Sequence, residues 1–412
     1  MASARRDAEP AFLTARRAQA QELLKTLELP HFKGRPGWDF TDLSELDLSA
    51  YQPAPDGAAA ASGHELFAVP DAIQLDTAAA RLPAGVIVTT LEQAARDHPE
   101  KLEPYLGSLL AADTDLFVAR NEAGAIHGAF VYVPRGVVLE RPVFLSAVQS
   151  APKSELDRRT LVVLEEGAQA EVWEQQLSSS PELDSLFNAV IELVVRDGAR
   201  LRFVSGQQLS ERSWVFGSHR AQVGRDAALD WVALGFGSRG GRVRMETRLA
   251  GPGAEARVTG AYASRGRQHI DFDTTQEHAA PNTTSDLAFR GVLQGRSSAV
   301  WKGNIIVDPG AQKTDAFQES RNLLISKRAH ADAIPGLEIQ ANDVRCTHAA
   351  AVAQVDPEQL FYLRSHGLPE PVAKRLVIEG FLAALVERFE QGPVRTVLAG
   401  ALERRLEQIL AR

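Results

Sequence analysis

Cysteine is almost absent from this sequence. Among 412 residues Cys346 is the single thiol, and methionine occurs twice. One cysteine cannot form an intrachain disulfide, which excludes a disulfide-stapled secreted scaffold and fits a reducing cytosol best. Nor can one subunit supply a four-cysteine zinc site or the full set of thiolates for an iron–sulfur cluster. Long apolar runs are also missing. No window approaches the roughly 20 apolar residues of a membrane-spanning helix. Met1 to Leu24 is rich in Arg and Ala without a continuous apolar stretch, so it is not expected to be a secretory signal. Basic charge is in deficit: 45 Lys and Arg against 53 Asp and Glu leave a net charge of −8. Sequence-independent nucleic-acid binding draws its affinity from basic groups that release counterions, so that class is a poor reading. No G-x-x-x-x-G-K-[ST] occurs, and the chain therefore has no P-loop of its own.

What remains is an ordinary globular composition, 44% apolar and 24% charged, long enough for two or three domains at roughly 150 residues each. Pro10 to Leu29 carries Leu13, Ala20, Leu23, Leu24 and Leu27 at helical spacing, and Pro30 stops it. Gly34 to Asp39 is turn-rich, Pro53 to Gly63 has the composition of a linker, and Thr90 to Leu110 reads as a second helical stretch. From about Leu116 the pattern changes to short strands, including Phe130–Pro134, Val143–Val148, Leu161–Leu164 and Ala189–Val195. Gly-Ala corners recur at Gly167, Gly198, Gly253 and Gly310, with Gly224 filling one gap. A spacing on the order of 28 residues suggests stacked coils, in which no coil can bury its own apolar face. The pattern favours a β-solenoid, with a β-sandwich as the competing architecture. After about Val355 helices return. Asp356-Pro357-Glu358-Gln359 has the layout of a helix start. Two apolar stripes follow, one from Val372 through Leu376, Phe381, Leu382 and Leu385 to Phe389, the other through Leu398, Leu402, Leu406 and Leu410. The expected division is 1–115 mainly helical, 116–355 solenoid and 356–412 helical.

Three local motifs are candidates for chemistry. Gly235-Phe236-Gly237-Ser238-Arg239-Gly240 matches G-x-G-x-x-G, yet the residues after it alternate like a strand, so a corner is the better reading than a nucleotide site. His269, Asp271 and Asp273 share one face of an expected strand, with His278 near. A solvated face, a metal site or an acidic row for glycoside chemistry all fit that spacing. Cys346-Thr347-His348 places a thiol and an imidazole on one side of a strand, where both can face one metal centre. A buried cysteine beside a structural histidine, or half of a Cys–His hydrolase pair, fits the same spacing.

The stretch from Phe289 to Phe381 narrows these readings. It contains Gly303 to Val307, Ala311-Gln312-Lys313-Thr314-Asp315-Ala316, Asn322-Leu323-Leu324, Pro335 with Leu337-Glu338-Ile339, Asp343-Val344, Cys346 with His348, and Leu360-Phe361-Tyr362-Leu363. In this order the segment resembles the core of the SufB/SufD family of iron–sulfur cluster assembly proteins, over about a quarter of the chain. Weaker matches lie at Tyr132-Val133-Pro134-Arg135-Gly136 and Gly37-Trp38-Asp39-Phe40-Thr41. Arg345-Cys346-Thr347-His348 is similar to the SufD type rather than the SufB type. Ala349 and Ala353 stand where glycine is usual, and His366 where arginine is.

The resemblance implies a right-handed parallel β-helix flanked by helical N- and C-terminal regions. It implies a non-catalytic scaffold that pairs with a SufB-type paralogue through the β-helix and with a SufC-type ATPase through the C-terminal helices. It also implies a role in iron acquisition. No cofactor is expected to be held stably by the chain alone; iron or a nascent cluster would be shared with a partner, with His348 as the ligand and Cys346 as a second candidate. A homodimeric or SufB-like self-sufficient scaffold is the alternative, and a β-solenoid carbohydrate enzyme a third reading. A cytoplasmic location and no nucleic-acid or membrane partner are expected.

Overall fold

The structure is a computed structural model that describes residues 9–31, 37–55, 65–75, 82–124 and 127–410. Gly34 to Pro36 and residues 56–63 of the expected linker lie outside the described residues. From His127 to Gln354 the chain winds into a solenoid whose coils each give one strand to each of two sheets. One sheet has ten strands and ends on His330–Ile339; the other has nine and ends on Arg345–Gln354. Pairing within each sheet is parallel except where Ile87–Thr90 runs against His127–Val133. Because neighbours in a sheet come from successive coils, side chains about one coil apart in sequence meet: Arg202 bonds Asp230, 28 residues on, and Asp230 bonds Arg257, 27 residues further. This regular stacking is a solenoid and not a sandwich.

Strand alternation sends one set of side chains between the sheets. Phe203, Trp231, Leu287 and Phe289 from the nine-stranded sheet pack there against Met245, Phe272 and Trp301 from the other. The turns follow the glycines. Gly167, Gly198, Gly253 and Gly310 all take positive φ between 67° and 87°, the left-handed conformation that a Cβ disfavours. Gly224 is needed for a different reason. Its φ is not left-handed, and Asp226 turns that corner at φ 52°, but a Cβ on Gly224 would lie 2.5 Å from Asp197 Oδ1. At the G-x-G-x-x-G motif the strand Ala228–Gly235 passes through a tight corner straight into the strand Gly240–Leu249, so no helix follows it.

The flanking regions differ in places from the sequence reading. The first helix is Ala11–Leu24, inside the expected range. Thr90 to Leu110 is not one helix: Leu91–Asp97 stops at His98, and Pro99 opens a second short helix to Leu102. A proline disfavours helical backbone in the residue before it, which breaks the run there. Leu116–Gly124, read as the start of the strands, is a helix. Its apolar residues are buried on nearly every side, which hides the helical period. This helix is tied in by charge. Arg159, fully buried, bonds Glu192 at 2.8 Å and also pairs with Glu122, which receives Arg16 of the first helix.

Pro357–Ser365 starts as expected, with Asp356 accepting from the Glu358 amide at 2.8 Å. Glu370–Val386 and Pro393–Leu410 then lie on the outer face of the nine-stranded sheet, where Ile378, Leu382, Leu398 and Leu402 cover Val232, Leu234 and Ala261. Arg405 locks the last helix by donating to the Ala263 carbonyl at 2.7 Å.

One interior residue makes the fold acid-sensitive. His219 is buried with neither ring nitrogen bonded, stacked near Trp231, and burial pushes its pKa down to about 3. The unfolded chain takes up this proton below pH 6.5 while the folded one does not, so stability is lost as pH falls from 6.5 toward 3. The slope from this residue is about 1.4 kcal/mol per pH unit. Urea unfolding at pH 7 and pH 5 is therefore expected to show a loss about 2 kcal/mol smaller in His219→Phe than in the parent chain.

Candidate functional site

The solenoid stops without a cap on its last coil. His330–Ile339 and Arg345–Gln354 are the final strands of their sheets, and each leaves one edge of peptide groups unpaired. Side chains that an added coil would bury are exposed instead, among them Leu337, Ile339 and Val352. Each of these two strands is ten residues long, an unusual length to leave open in a stable solitary protein.

Cys346 and His348 lie on this last strand. In the register Cys346 sits beside Ala316 and His348 beside Gln318, both buried. Gln318 reaches across to the other sheet, donating to the Gly336 carbonyl at 3.0 Å, so its position faces the space between the sheets. Cys346 and His348 share that direction and stand at the open mouth of the interior. Cys346 is half-buried and packs beside Ile305, Ala316 and Val344. Burial, with a smaller push from the Asp315 carboxylate, raises its thiol pKa. His348 is exposed and has no hydrogen-bond partner among the described residues. Arg345 holds the strand start by pairing with Asp315, Nε to Oδ1 at 3.0 Å. Among the described residues no three His, Cys, Asp or Glu side chains gather as a metal site. The strand thus offers two donors and leaves the rest of any coordination shell to something else.

The other spacing-based candidates are tied up structurally. Asp273 is buried and paired with Arg242. Asp271 accepts from Thr41, and burial raises its pKa to about 6. His269 bonds Ser298 Oγ at 2.8 Å. His278 points the other way, into the interior, between Thr283 at 2.8 Å and Ser285 at 2.9 Å. The four do not converge, which removes the observation behind a metal or glycoside reading. What the sequence did not mark is the exposure on the C-terminal helices. Phe361 is 74% and Tyr362 62% exposed, and Val372 and Leu376 of the expected stripe are also open. His366 closes the helix end against Tyr362, its ring 4.3 Å from the tyrosine ring.

The fold and this edge define a class: a parallel β-solenoid with an uncapped end, two metal-capable donors at its mouth and an apolar helical surface beside it. Similarity to known proteins assigns the family. Residues 147–381 match the SUF system FeS cluster assembly SufBD core domain, and residues 60–145 the SufBD protein N-terminal region. The iron–sulfur cluster assembly protein SufD of Bacillus subtilis is 32% identical over 97% of this chain and 95% of its own length. A SufBD family protein of Synechocystis is 26% identical over 92% of this chain and 88% of its own. One from Mycobacterium tuberculosis is 35% identical over 53% of this chain and 57% of its own. The chain belongs to the SufBD family of iron–sulfur cluster assembly proteins and is most like SufD. No helix among the described residues is long and apolar enough to cross a membrane.

Proposed function

We propose that this chain is a cytoplasmic, non-catalytic scaffold subunit of SufD type in a SufB–SufC–SufD complex, where it contributes to iron acquisition. In this reading a SufB-type paralogue docks on the open end of the solenoid and completes a site for iron or a nascent cluster, with His348 as this chain's ligand and Cys346 as a secondary one. A SufC-type ATPase docks on the C-terminal helices and supplies the nucleotide chemistry for which this chain has no P-loop. The observation that carries the reading is the uncapped last coil, which exposes two unpaired strand edges, three apolar side chains and an incomplete pair of metal donors together. An apolar edge of this kind is completed by another chain that continues the stack.

The test is co-expression with the two partners and purification through a tag on the paralogue. Replacing Leu337 and Ile339 together by Asp is expected to reduce recovery of this chain by about tenfold or more, since charge at an apolar interface core costs on the order of 2 kcal/mol. The isolated double variant keeps its melting temperature within a few degrees, because both side chains are already solvent-exposed. Full recovery of the double variant would rule out docking at this end.

A further inference from the structure

The two corners of the open end carry opposite charge. At one corner the turns 265–268, 294–297 and 325–329 follow one another coil by coil, each leading from the nine-stranded sheet to the ten-stranded one. The Arg296 amide donates to the Gly266 carbonyl at 2.7 Å and the Gly295 amide to Ser326 Oγ at 3.0 Å, so the three turns are in contact. They hold Arg265, Arg267, Arg296, Lys327 and Arg328 and no acidic residue. Arg265 pairs with Glu211 of an earlier turn at 2.6 Å. Arg267, Arg296, Lys327 and Arg328 are exposed, and none has a side-chain ion pair or hydrogen bond among the described residues. The carboxylates nearest the last turn along the chain are engaged, Glu319 by Arg321 at 2.9 Å and Asp332 by His330 at 3.1 Å. Asp356, just past the final strand, caps its own helix, leaving Glu358 as a single unpaired acid in that stretch.

The opposite corner, roughly 30 Å away along strands of this length, has the other sign. There the Lys313 amide donates to the Asp343 carbonyl at 2.6 Å and the Asp343 amide to Gln312 Oε1 at 2.8 Å, joining the last two turns. Asp308, Glu338 and Asp343 face Lys313 alone, because Arg345 is already paired with Asp315. A solenoid partner can seat on the apolar edge either way round, since Leu337, Ile339 and Val352 carry no charge. Charge separates the two ways, because unlike patches attract and like patches repel. The chain as a whole is acidic, at −8, which disfavours a long polyanion or an anionic membrane over a compact acidic protein surface. We propose that the basic corner receives an acidic surface of the paralogue seated on the open end and so fixes which way round that paralogue sits. This rests on the end-on docking reading above and adds an orientation to it.

The test measures association of the full-length chain with the tagged paralogue at low and at high salt. Replacing Lys327 and Arg328 together by Glu is expected to slow association about tenfold at low salt, with dissociation nearly unchanged. High salt should bring the parent down toward the variant, because screening removes the attraction. The melting temperature of the variant should match the parent, since both side chains are exposed and unpaired. Carbodiimide, which couples an ammonium to a carboxylate in contact with it, is expected to join Lys327 to an Asp or Glu of the paralogue, read by mass spectrometry. Association of the double Glu variant as fast as the parent at low salt, or faster, would overturn the orientation and leave end-on docking standing. Coupling of Lys327 to carboxylates of its own chain alone would overturn it too. Failure of the parent chain to bind the paralogue at all would remove the docking reading and this one with it.

Discussion

Changing His348 to Ala is expected to lower the iron and cluster content of the reconstituted three-protein complex by more than about tenfold. Loss of groups that merely support a metal ligand already costs 10–100-fold in affinity, so loss of the ligand itself sets a floor in that range. The side chain is exposed and unbonded, so its removal leaves stability within about 0.5 kcal/mol and the complex still forms. Cys346→Ser is expected to have the smaller effect. The thiolate is the ligand, and a thiol pushed upward by burial and by Asp315 supplies little thiolate near neutral pH. Iron analysis and absorbance after anaerobic reconstitution check both. Unchanged loading in His348→Ala would remove the residue from the site, and a larger loss in Cys346→Ser would reverse the ranking.

Substituting Asp for Phe361 or Tyr362 is expected to abolish capture of the ATPase while leaving the solenoid folded. Both rings are mostly in solvent, with Tyr362 resting against the His366 ring at the end of its own helix, so they contribute little to this chain's own stability. A buried aromatic anchor at an interface is worth about 2 kcal/mol or more when lost, roughly thirty-fold in affinity, and a charge in its place adds desolvation cost. The point variants are sharper than a truncation after Asp356. Truncation strips Ile378, Leu382, Leu398 and Leu402 from the nine-stranded sheet and bares Val232 and Leu234, which confounds lost docking with aggregation. Pull-down with tagged ATPase, with circular dichroism of the free variants, decides the matter. Full capture by both variants would place the docking surface elsewhere.

Much of this architecture is legible in the residues because a solenoid repeats local rules. Gly167, Gly198, Gly253 and Gly310 mark corners because each needs a left-handed backbone, and Asp356 marks a helix start because its side chain caps the first turn. Legibility fails where distant segments decide. Leu116–Gly124 looks like a strand in isolation, since the elements burying it on several sides come from far along the chain. His269, Asp271 and Asp273 have the spacing of a site, but Ser298, Thr41 and Arg242 engage them, and no local pattern forecasts those partners. The thiol and imidazole of Cys346 and His348 are readable as sharing one side of a strand. Their place at an open mouth is not, because it depends on no further coil following Gln354.

The missing cap has a consequence for the order in which the molecule hardens. In stacked repeats each layer is held by its two neighbours, so a terminal layer with one neighbour frays before the rest. The coil that carries His348 is that layer, and amide exchange should be fastest there in the free chain. A partner strand laid on the edge supplies the absent neighbour, so docking and stiffening of the ligand strand become one linked equilibrium. In the proposed complex, Cys346 and His348 would pass from a loosely held rung to the middle of a continuous ladder. Under the proposed assembly, a geometry able to hold iron would be a property the chain acquires on joining its partner.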